Sequence, residues 1–361
     1  MAIVDEELPQ ELLMEILSRL PVKSLLQLKS VSKSWYVLIQ NPSFISLHHT
    51  RARLYYCASI YVRNLNNNNF QRSMYLLPDQ TSIEHLDLSF TRPHLDKELF
   101  GMKSCNGLMC LSTDSNIVIC NPATRECRLL PQPPYHAWRT NYLGFAFDSK
   151  TSDYKVVRLA TLSETTLVDH KIQIYGMSAD SWKEIVATVP NHDFTVRQSP
   201  CKSFDGVFYW LSYNPSTRHA IDALNTVEGS FERRSLPADV SSDGQINLYL
   251  LNDSLALIGR KCHNRETRFD VWLMDEFGVE FWTKKYTIGP LLGRYSLLGF
   301  WPISEVLLDG FEKGKIVSYN HSTHYIEEYK QICDLPEPNL MTQVFPYSES
   351  LLSVKRPVDL A

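Results

Sequence analysis

Residues 8–45 carry apolar side chains at the spacing of α-helices. Leu8, Leu12, Ile16 and Leu20 recur at every fourth position, which predicts a first helix with one apolar face. A proline directly after Leu20 ends that helix, because proline cannot continue the backbone hydrogen bonding. Apolar faces of this kind usually pack inside their own domain, so the pattern alone favours a core role.

Two further short helices are predicted before residue 45. The second covers residues 22–28, and Ser32 is a favourable N-cap for the third. The Asn41-Pro42 pair is expected to stop the third helix. Three short helices build only a small core, so the alternative is that some of these apolar groups face a partner protein.

After about residue 52 the pattern changes to short apolar runs separated by polar turns, which predicts strands. Five such units begin at residues 117, 172, 221, 269 and 315. Their spacing of 46–55 residues resembles the repeat of about 50 residues in kelch propellers. We expect segment 53–90 and the run 344–353 to add a further blade and its closing strand.

Composition and charge narrow the class of protein. Hydrophobic residues make up 44% and charged residues 21%, which is ordinary for a globular chain. The net charge of −4, without a long basic run, argues against a nucleic-acid partner. The acidic residues 5–7 and the lack of a long apolar segment lead us to expect a cytoplasmic protein, also nuclear, without membrane association.

No motif for metal binding or catalysis stands out. The eight cysteines form no CxxC pair, so we interpret them as free buried thiols rather than zinc ligands. His321 and His324 fall in a predicted turn without a third ligand nearby. The chain contains no GxSxG, P-loop or GxGxxG motif. We therefore expect a binding protein without cofactor or metal, and not a glycan-active enzyme.

Longer motifs carry a resemblance to a known family. Residues 8–35 (LPQELLMEILSRLPVKSLLQLKSVSKSW) resemble the F-box. Four further segments resemble the plant F-box-associated interaction domain: 105–111 (CNGLMCL), 121–126 (NPATRE), 144–158 (GFAFDSKTSDYKVVR) and 347–352 (YSESLL). The resemblance implies an α+β multidomain chain, with a three-helix F-box at 3–48 and an all-β, kelch-like β-propeller at 52–355 that recognises a substrate.

The resemblance also implies roles for individual positions. F-box residues contact or shape the surface for a Skp-type adaptor, through which cullin and RING subunits join. The matching positions here are Leu8, Pro9, Leu12, Ile16, Leu20, Pro21, Val22, Leu25, Val31 and Trp35. Interface energy is usually concentrated in a few anchors, and we expect Ile16 and Trp35 to be among them.

The same resemblance implies a non-catalytic recognition subunit of an SCF ubiquitin ligase. The chain is most similar to S-locus F-box proteins of pollen, which implies a pistil self-incompatibility ribonuclease as the target. Alternatives are a hormone- or defence-signalling target, or a scaffold without ligase activity. Target contacts are expected in loops 133–140, 163–170, 213–218 and 260–268. The candidate contact residues are Trp138, Arg139, Arg218, Arg260, Arg265 and Arg268.

Overall fold

The computed structural model describes most of the chain between Pro9 and Lys355. The described residues are 9–52, 54–63, 70–77, 84–95, 99, 101–113, 115–134, 139–161, 170–185, 202–204, 206–214, 218–237, 239–240, 245–251, 254–274, 282–301, 305–310, 315–328 and 343–355. Helices occupy the N-terminal part and strands the remainder, as the change of pattern near residue 52 predicts.

Four α-helices precede the first strand, one more than the pattern predicts. They are α1 (Gln10–Leu17), α2 (Val22–Leu28), α3 (Lys33–Gln40) and α4 (Pro42–Arg51). The Ser32 hydroxyl caps α3 as expected, accepting a hydrogen bond from the Trp35 backbone nitrogen at 3.2 Å.

The fourth helix begins at the Asn-Pro pair that was expected only to stop α3. Proline cannot extend a preceding helix, but it suits the first turn of a new one. Asn41 supplies the cap, because its side-chain oxygen accepts a hydrogen bond from the Ser43 backbone nitrogen at 2.8 Å. The pair therefore ends α3 and starts α4, and the prediction of three helices was wrong.

Twenty-four strands form six four-stranded antiparallel sheets over the described residues. Blade 1 contains β1 (Leu54–Arg63), β2 (Phe70–Leu77), β3 (Glu84–His85) and β24 (Gln343–Ser348). Blade 2 contains β4 (Gly101–Cys105), β5 (Leu108–Ser112), β6 (Ile117–Asn121) and β7 (Glu126–Leu129). Blade 3 contains β8 (Arg139–Asp148), β9 (Asp153–Thr161), β10 (His170–Gly176) and β11 (Ser181–Ile185).

The other three blades follow the same order from first to fourth strand. Blade 4 contains β12 (Lys202–Phe204), β13 (Val207–Asn214), β14 (Arg218–Asn225) and β15 (Phe231–Arg234). Blade 5 contains β16 (Gln245–Leu251), β17 (Ser254–His263), β18 (Glu266–Met274) and β19 (Trp282–Leu292). Blade 6 contains β20 (Tyr295–Trp301), β21 (Glu305–Gly310), β22 (Lys315–Asn320) and β23 (Tyr325–Glu328).

The six blades close into a ring through the last strand of the chain. β24 pairs with β1 and takes the innermost position of blade 1. It contacts β4 of blade 2 on one side and β20 of blade 6 on the other. The prediction that 53–90 and 344–353 share a blade is therefore confirmed. Pairing with β24 covers the inner edge of β1, and a propeller of this kind leaves only short, protected strand edges.

The five repeats found in the sequence are the outer hairpins of blades 2 to 6. Each begins at or inside the third strand of its blade. In blades 2, 4 and 6 that strand ends in Asn121, Asn225 and Asn320. Each side-chain oxygen accepts hydrogen bonds from backbone N–H groups two and three residues further on, at 2.9–3.4 Å. These Asx turns explain the polar residues between the two apolar strands of each repeat.

The turn between β4 and β5 is the tightest point of contact between blade 2 and the C-terminal segment. Asn106 and Gly107 both have positive φ, at 50° and 79°, as a two-residue type I′ hairpin requires. A Cβ on Gly107 would lie 2.5 Å from the Ser348 carbonyl oxygen and 2.5 Å from the Ser350 Cβ. Glycine is therefore required both by the backbone conformation and by the close approach.

We expect Gly107→Ala to lower the free energy of unfolding by roughly 2–5 kcal/mol, through backbone strain and overpacking. Gly229→Ala is the matched control, because Gly229 also has positive φ (70°) but its Cβ would meet nothing within 4 Å. The control should cost only about 1 kcal/mol. Denaturant unfolding measures both variants, and equal losses would contradict the close-approach argument.

Candidate protein-binding surfaces

The two faces of the ring carry different connections. Neighbouring strands are antiparallel, so turns from first to second and third to fourth strands share one face. Connections from second to third strand, and from blade to blade, share the other. α4 leads into β1, the second strand of blade 1, so the helices adjoin the first group of turns. We call that side the helical face and the opposite side the far face.

The helices pack on the propeller through the segment that follows β24. Leu351 is buried in one apolar cluster with Phe44 of α4. Ala123, in the turn between β6 and β7, packs against the same cluster. The carboxylate of Glu349 accepts a hydrogen bond from the Val22 backbone nitrogen at the start of α2, at 3.2 Å. The joint therefore combines apolar burial with a polar contact to a helix end.

Asn121 fixes this C-terminal segment to blade 2. Its side-chain nitrogen donates to the Ser350 carbonyl at 2.8 Å and to the Leu352 carbonyl at 2.7 Å. The side-chain oxygen of Asn121 accepts hydrogen bonds within its own turn. Both the oxygen and the nitrogen of this fully buried side chain therefore have partners. Removing such an amide would leave buried carbonyls without partners, at a cost of about 1–3 kcal/mol.

Three of the four motifs that carried the family resemblance therefore meet at this joint. They are the Asn-Gly turn of 105–111, the Asn121 turn of 121–126 and the C-terminal run 347–352. The fourth motif, 144–158, lies on β8 and β9, where buried Asp148 pairs with Lys155. The motifs thus hold the helices on the propeller and stabilise the neighbouring blades.

A set of large apolar side chains on the helices stays exposed to solvent. The most exposed are Val37 (66%) and Val31 (64%), followed by Ile16 (47%) and Leu12 (44%). Tyr36 is similarly exposed. We call these five residues the apolar helix surface. Single exposed apolar residues are normal, but a group on one small helical unit is typical of a protein interface.

The structure divides the ten positions assigned to the adaptor surface. Pro9, Leu12, Ile16, Pro21 and Val31 are exposed, whereas Leu20 and Trp35 are half-buried. Val22 and Leu25 are fully buried in the joint cluster, so they shape the surface from within. Leu8 lies outside the described residues. Adaptor contact by these positions stays a prediction.

Sequence reasoning missed Tyr36 and Val37. Leu38 and Ile39 are buried, and on a helix of 3.6 residues per turn Val37 points away from them. The sequence did contain a signal for this exposed position, because Val37 is an apolar residue on the polar side of its helix. Leu54, the first residue of β1, also lies at the surface. Cys57 of β1 faces the core, and strand alternation turns Leu54 to the other side, where it is 43% exposed.

α4 is also tied to α1 by polar contacts. Arg51 pairs with Glu15 at 2.6 Å and donates to the Ser18 hydroxyl at 2.7 Å. His48 Nε2 lies 3.0 Å from the Leu20 carbonyl oxygen. Hydrogen bonds from Arg51 hold the pKa of Glu15 below its usual value. These contacts connect the helix nearest the propeller to the helix that carries Ile16.

The four connections predicted to bind a target all run between strand ends on the far face. Trp138 lies outside the described residues, as do the side chains of Arg139 and Arg218. The backbone of Arg139 nevertheless begins β8, and the backbone of Arg218 begins β14. The far face is opposite the helices, so a target held there would leave the apolar helix surface open.

Segment 260–268 is not the loop that the sequence suggested. β17 and β18 continue through it and are joined at Asn264 and Arg265 alone. Both residues have positive φ, at 47° and 64°, which is the geometry of a two-residue hairpin turn. The many charged residues gave the segment the look of a loop, whereas they are the exposed positions of a paired hairpin. Arg265 and Arg268 are exposed and Arg260 is partly buried.

The described residues contain no group of three His, Cys, Asp or Glu side chains that could hold a metal ion. His321 stacks on Tyr286 with ring centroids 5.0 Å apart. His324 Nδ1 lies 2.7 Å from the Tyr319 hydroxyl. Within the same described part of the chain, no helix is long and apolar enough to cross a membrane.

The cysteines of the described residues are free thiols. Burial raises the pKa of Cys105 to about 11 and that of Cys110 to about 12, which makes both unreactive. Cys262 differs, since it is exposed on β17. The interpretation of all eight as buried was therefore wrong at this position.

Comparison with known protein families gives two matches. Residues 57–354 match the F-box associated beta propeller domain, and residues 6–47 match the F-box domain. Together they cover nearly the whole chain, with a short gap where α4 leads into β1.

Curated relatives come from Arabidopsis thaliana. The F-box/kelch-repeat protein At3g17570 is 30% identical over 238 residues, covering 64% of this chain and 59% of the relative. The F-box protein At5g49610 is 25% identical over 315 residues, covering 82% of this chain and 83% of the relative. A chain in the crystal structure of a nidogen/laminin complex covers 81% of this chain and 98% of its own length at 8% identity. Its TM-score of 0.45 is too low to support a conclusion.

We expect Leu351→Ala to loosen the helices from the propeller, because truncating a buried leucine typically costs about 2–5 kcal/mol. Limited proteolysis measures this: the intact chain should resist cleavage within 42–56, and the variant should be cut there. Leu292→Ala is the control, since Leu292 is 83% exposed on β19. Equal resistance of both variants would count against Leu351 as the anchor of the joint.

Proposed function

Because this chain belongs to the family of F-box proteins with an F-box associated beta propeller domain, we propose that it is the substrate-recognition subunit of an SCF ubiquitin ligase. In this proposal the helices bind a Skp-type adaptor, through which cullin and RING subunits join. The far face of the propeller holds a protein target. The chain itself supplies no catalytic group.

The observation that carries this proposal is the apolar helix surface. Val31, Val37 and Ile16 remain exposed although the helices are packed on the propeller. The chain's own β-domain therefore does not cover them. Burying such side chains in a partner releases about 1.5–3 kcal/mol each when burial is complete. A second polypeptide that covers this surface accounts for their exposure.

The mechanism is one of proximity. Ubiquitin is carried by another enzyme, so this subunit acts by holding target lysines close to that enzyme. The effective concentration of the target depends on a connection that does not flex. The joint built from Leu351, Glu349 and Asn121 supplies that rigidity. Target and adaptor then bind on opposite sides of one stiff body.

We expect Ile16→Asp to weaken adaptor binding by about 30-fold, which corresponds to the roughly 2 kcal/mol of an interface anchor. Thermal stability should change little, because exposed substitutions usually stay within about 0.5 kcal/mol. Titration of the purified chain with a Skp-type adaptor measures the affinity, and a melting curve measures the stability. Val37→Asp should behave in the same way.

Val227→Asp is the matched control, because Val227 is 45% exposed in a turn of blade 4. It introduces the same charge on blade 4 instead of on the helices and should leave adaptor affinity unchanged. Wild-type affinity in both Ile16→Asp and Val37→Asp would contradict the proposal. A stable complex with adaptor that never recruits cullin would indicate a scaffold without ligase activity.

For the target, we propose a pistil self-incompatibility ribonuclease, bound in the cytosol or nucleus of pollen. The support is the overall resemblance of the sequence to S-locus F-box proteins. The net charge of −4 would modestly assist encounter with a basic enzyme.

Affinity capture from pollen under proteasome inhibition tests the target. We expect the intact chain to retain adaptor, cullin and the ribonuclease. The Ile16→Asp variant should lose adaptor and cullin while the ribonuclease stays, because the two partners bind opposite faces. Failure of purified pistil ribonuclease to bind the intact chain would rule out this target without affecting the adaptor proposal.

A hormone- or defence-signalling protein with an acidic surface is the second candidate target. The observation that favours it is the group of basic residues at the far-face end of blade 5. A basic ribonuclease would be repelled there, whereas an acidic protein would be attracted.

A further inference from the structure

Two turns meet at the far-face end of blade 5. One is the β17–β18 turn at Asn264 and Arg265, and the other is the β19–β20 turn at Gly293 and Arg294. The Gly293 backbone nitrogen donates to the Arg265 carbonyl at 2.8 Å. The Thr267 hydroxyl donates to the Gly293 carbonyl at 2.7 Å. We call this locked pair of turns the blade 5 tip.

The blade 5 tip is strongly basic. The residues at 260–268 and 293–294 include one carboxylate, Glu266, and several cations. The cations are Arg260, Lys261, Arg265, Arg268 and Arg294. Lys261 pairs with Asp270 at 2.7 Å and Arg268 lies 3.5 Å from Glu266. Arg265 and Arg294 make no ion pair with any residue of the described part of the chain.

Arg260, on β17 of the same hairpin, is held by hydrogen bonds of its side chain. Its Nη1 donates to Gln245 Oε1 at 2.9 Å and to the Ser296 hydroxyl at 3.2 Å, and its Nε donates to Cys262 Sγ at 3.2 Å. Burial opposes ionisation of the Cys262 thiol, but its pKa is nevertheless lowered by Arg260, Thr267 and the nearby charge of Arg294. Arg260 and Arg294 both place positive charge near this thiol.

Arg265 occupies a position where the backbone favours glycine. Its φ of 64° places it second in a type I′ turn, for which Asn-Gly is the preferred pair. Holding a non-glycine residue there costs on the order of 1 kcal/mol. An exposed arginine at such a position, without an ion pair in the described part of the chain, is available to bind a partner.

We propose that the blade 5 tip binds an acidic segment of the target protein, with its carboxylates on Arg265 and Arg294. This inference rests on the proposed function and deepens it for the second candidate target, a signalling protein with an acidic surface, because a basic ribonuclease would be repelled by the blade 5 tip. Guanidinium groups suit carboxylates because they offer two parallel donors. Leu292 lies beside Glu266 and is 83% exposed, so an apolar residue next to the acidic ones has a contact as well.

The test uses the full chain purified with its adaptor. The probes are short fluorescent peptides of alternating leucine with glutamate, glutamine, lysine or phosphoserine, and a single-stranded oligonucleotide. We expect the glutamate peptide to bind and the glutamine and lysine peptides not to. Preferential binding of the phosphoserine peptide or the oligonucleotide would overturn the assignment to carboxylates.

Arg265→Gly is the decisive variant, because it should change binding and stability in different directions. Affinity for the glutamate peptide should fall about tenfold, as expected for one charged hydrogen-bonded contact. The melting temperature should stay the same or rise, because glycine suits positive φ. Arg294→Ala should weaken binding in the same way.

Lys285→Ala is the matched control, since it removes one positive charge from an exposed position of β19 nearer the helical face. It should bind the glutamate peptide as the wild type does. Wild-type affinity in both arginine variants, with the adaptor still bound, would overturn this inference and leave the ligase proposal intact. Loss of adaptor in the unmodified chain would instead contradict the proposed function.

Discussion

The structure depends most on how the C-terminal segment is held between the helices and the blades. β24 closes the ring by pairing with β1, and the residues directly after it carry the helices. Asn121 grips that segment through two carbonyls, and Leu351 enters the helical cluster. Ring closure and the seating of the helices therefore rest on the same short stretch. A change in this stretch would therefore affect both ring closure and the packing of the helices, because both depend on where the segment lies.

This arrangement suits a protein that holds two partners at once. The helices adjoin the helical face through the joint, and the connections predicted to bind a target end at the far face. A rigid connection keeps whatever is bound on the far face at a constant distance from whatever is bound to the helices. Exposure of Val37 and Ile16 costs the isolated chain little. Binding of a partner then gains free energy, because it removes those side chains from water.

Overall charge and local charge lead to different expectations here. The chain as a whole is acidic, with a net charge of −4, and that value alone favours a basic partner. Arg265 and Arg294 concentrate positive charge at the blade 5 tip, because Gly293 and Thr267 hold their two turns together. Screening limits long-range attraction to about 8–10 Å at physiological salt. Recognition therefore depends more on the charge of the contacting surface than on the sum over the chain.

Features that depend on near neighbours in the chain could be predicted from the sequence. The Ser32 cap and the outer hairpins of the blades were predicted correctly, because each is decided by residues within a few positions. Tertiary structure decided the rest. Asn121 meets carbonyls 229 and 231 positions away, and packing alone buried Val22 and Leu25 while leaving Ile16 exposed. Local propensity indicates which elements form, but which side of each element stays in water is settled only when distant parts of the chain meet.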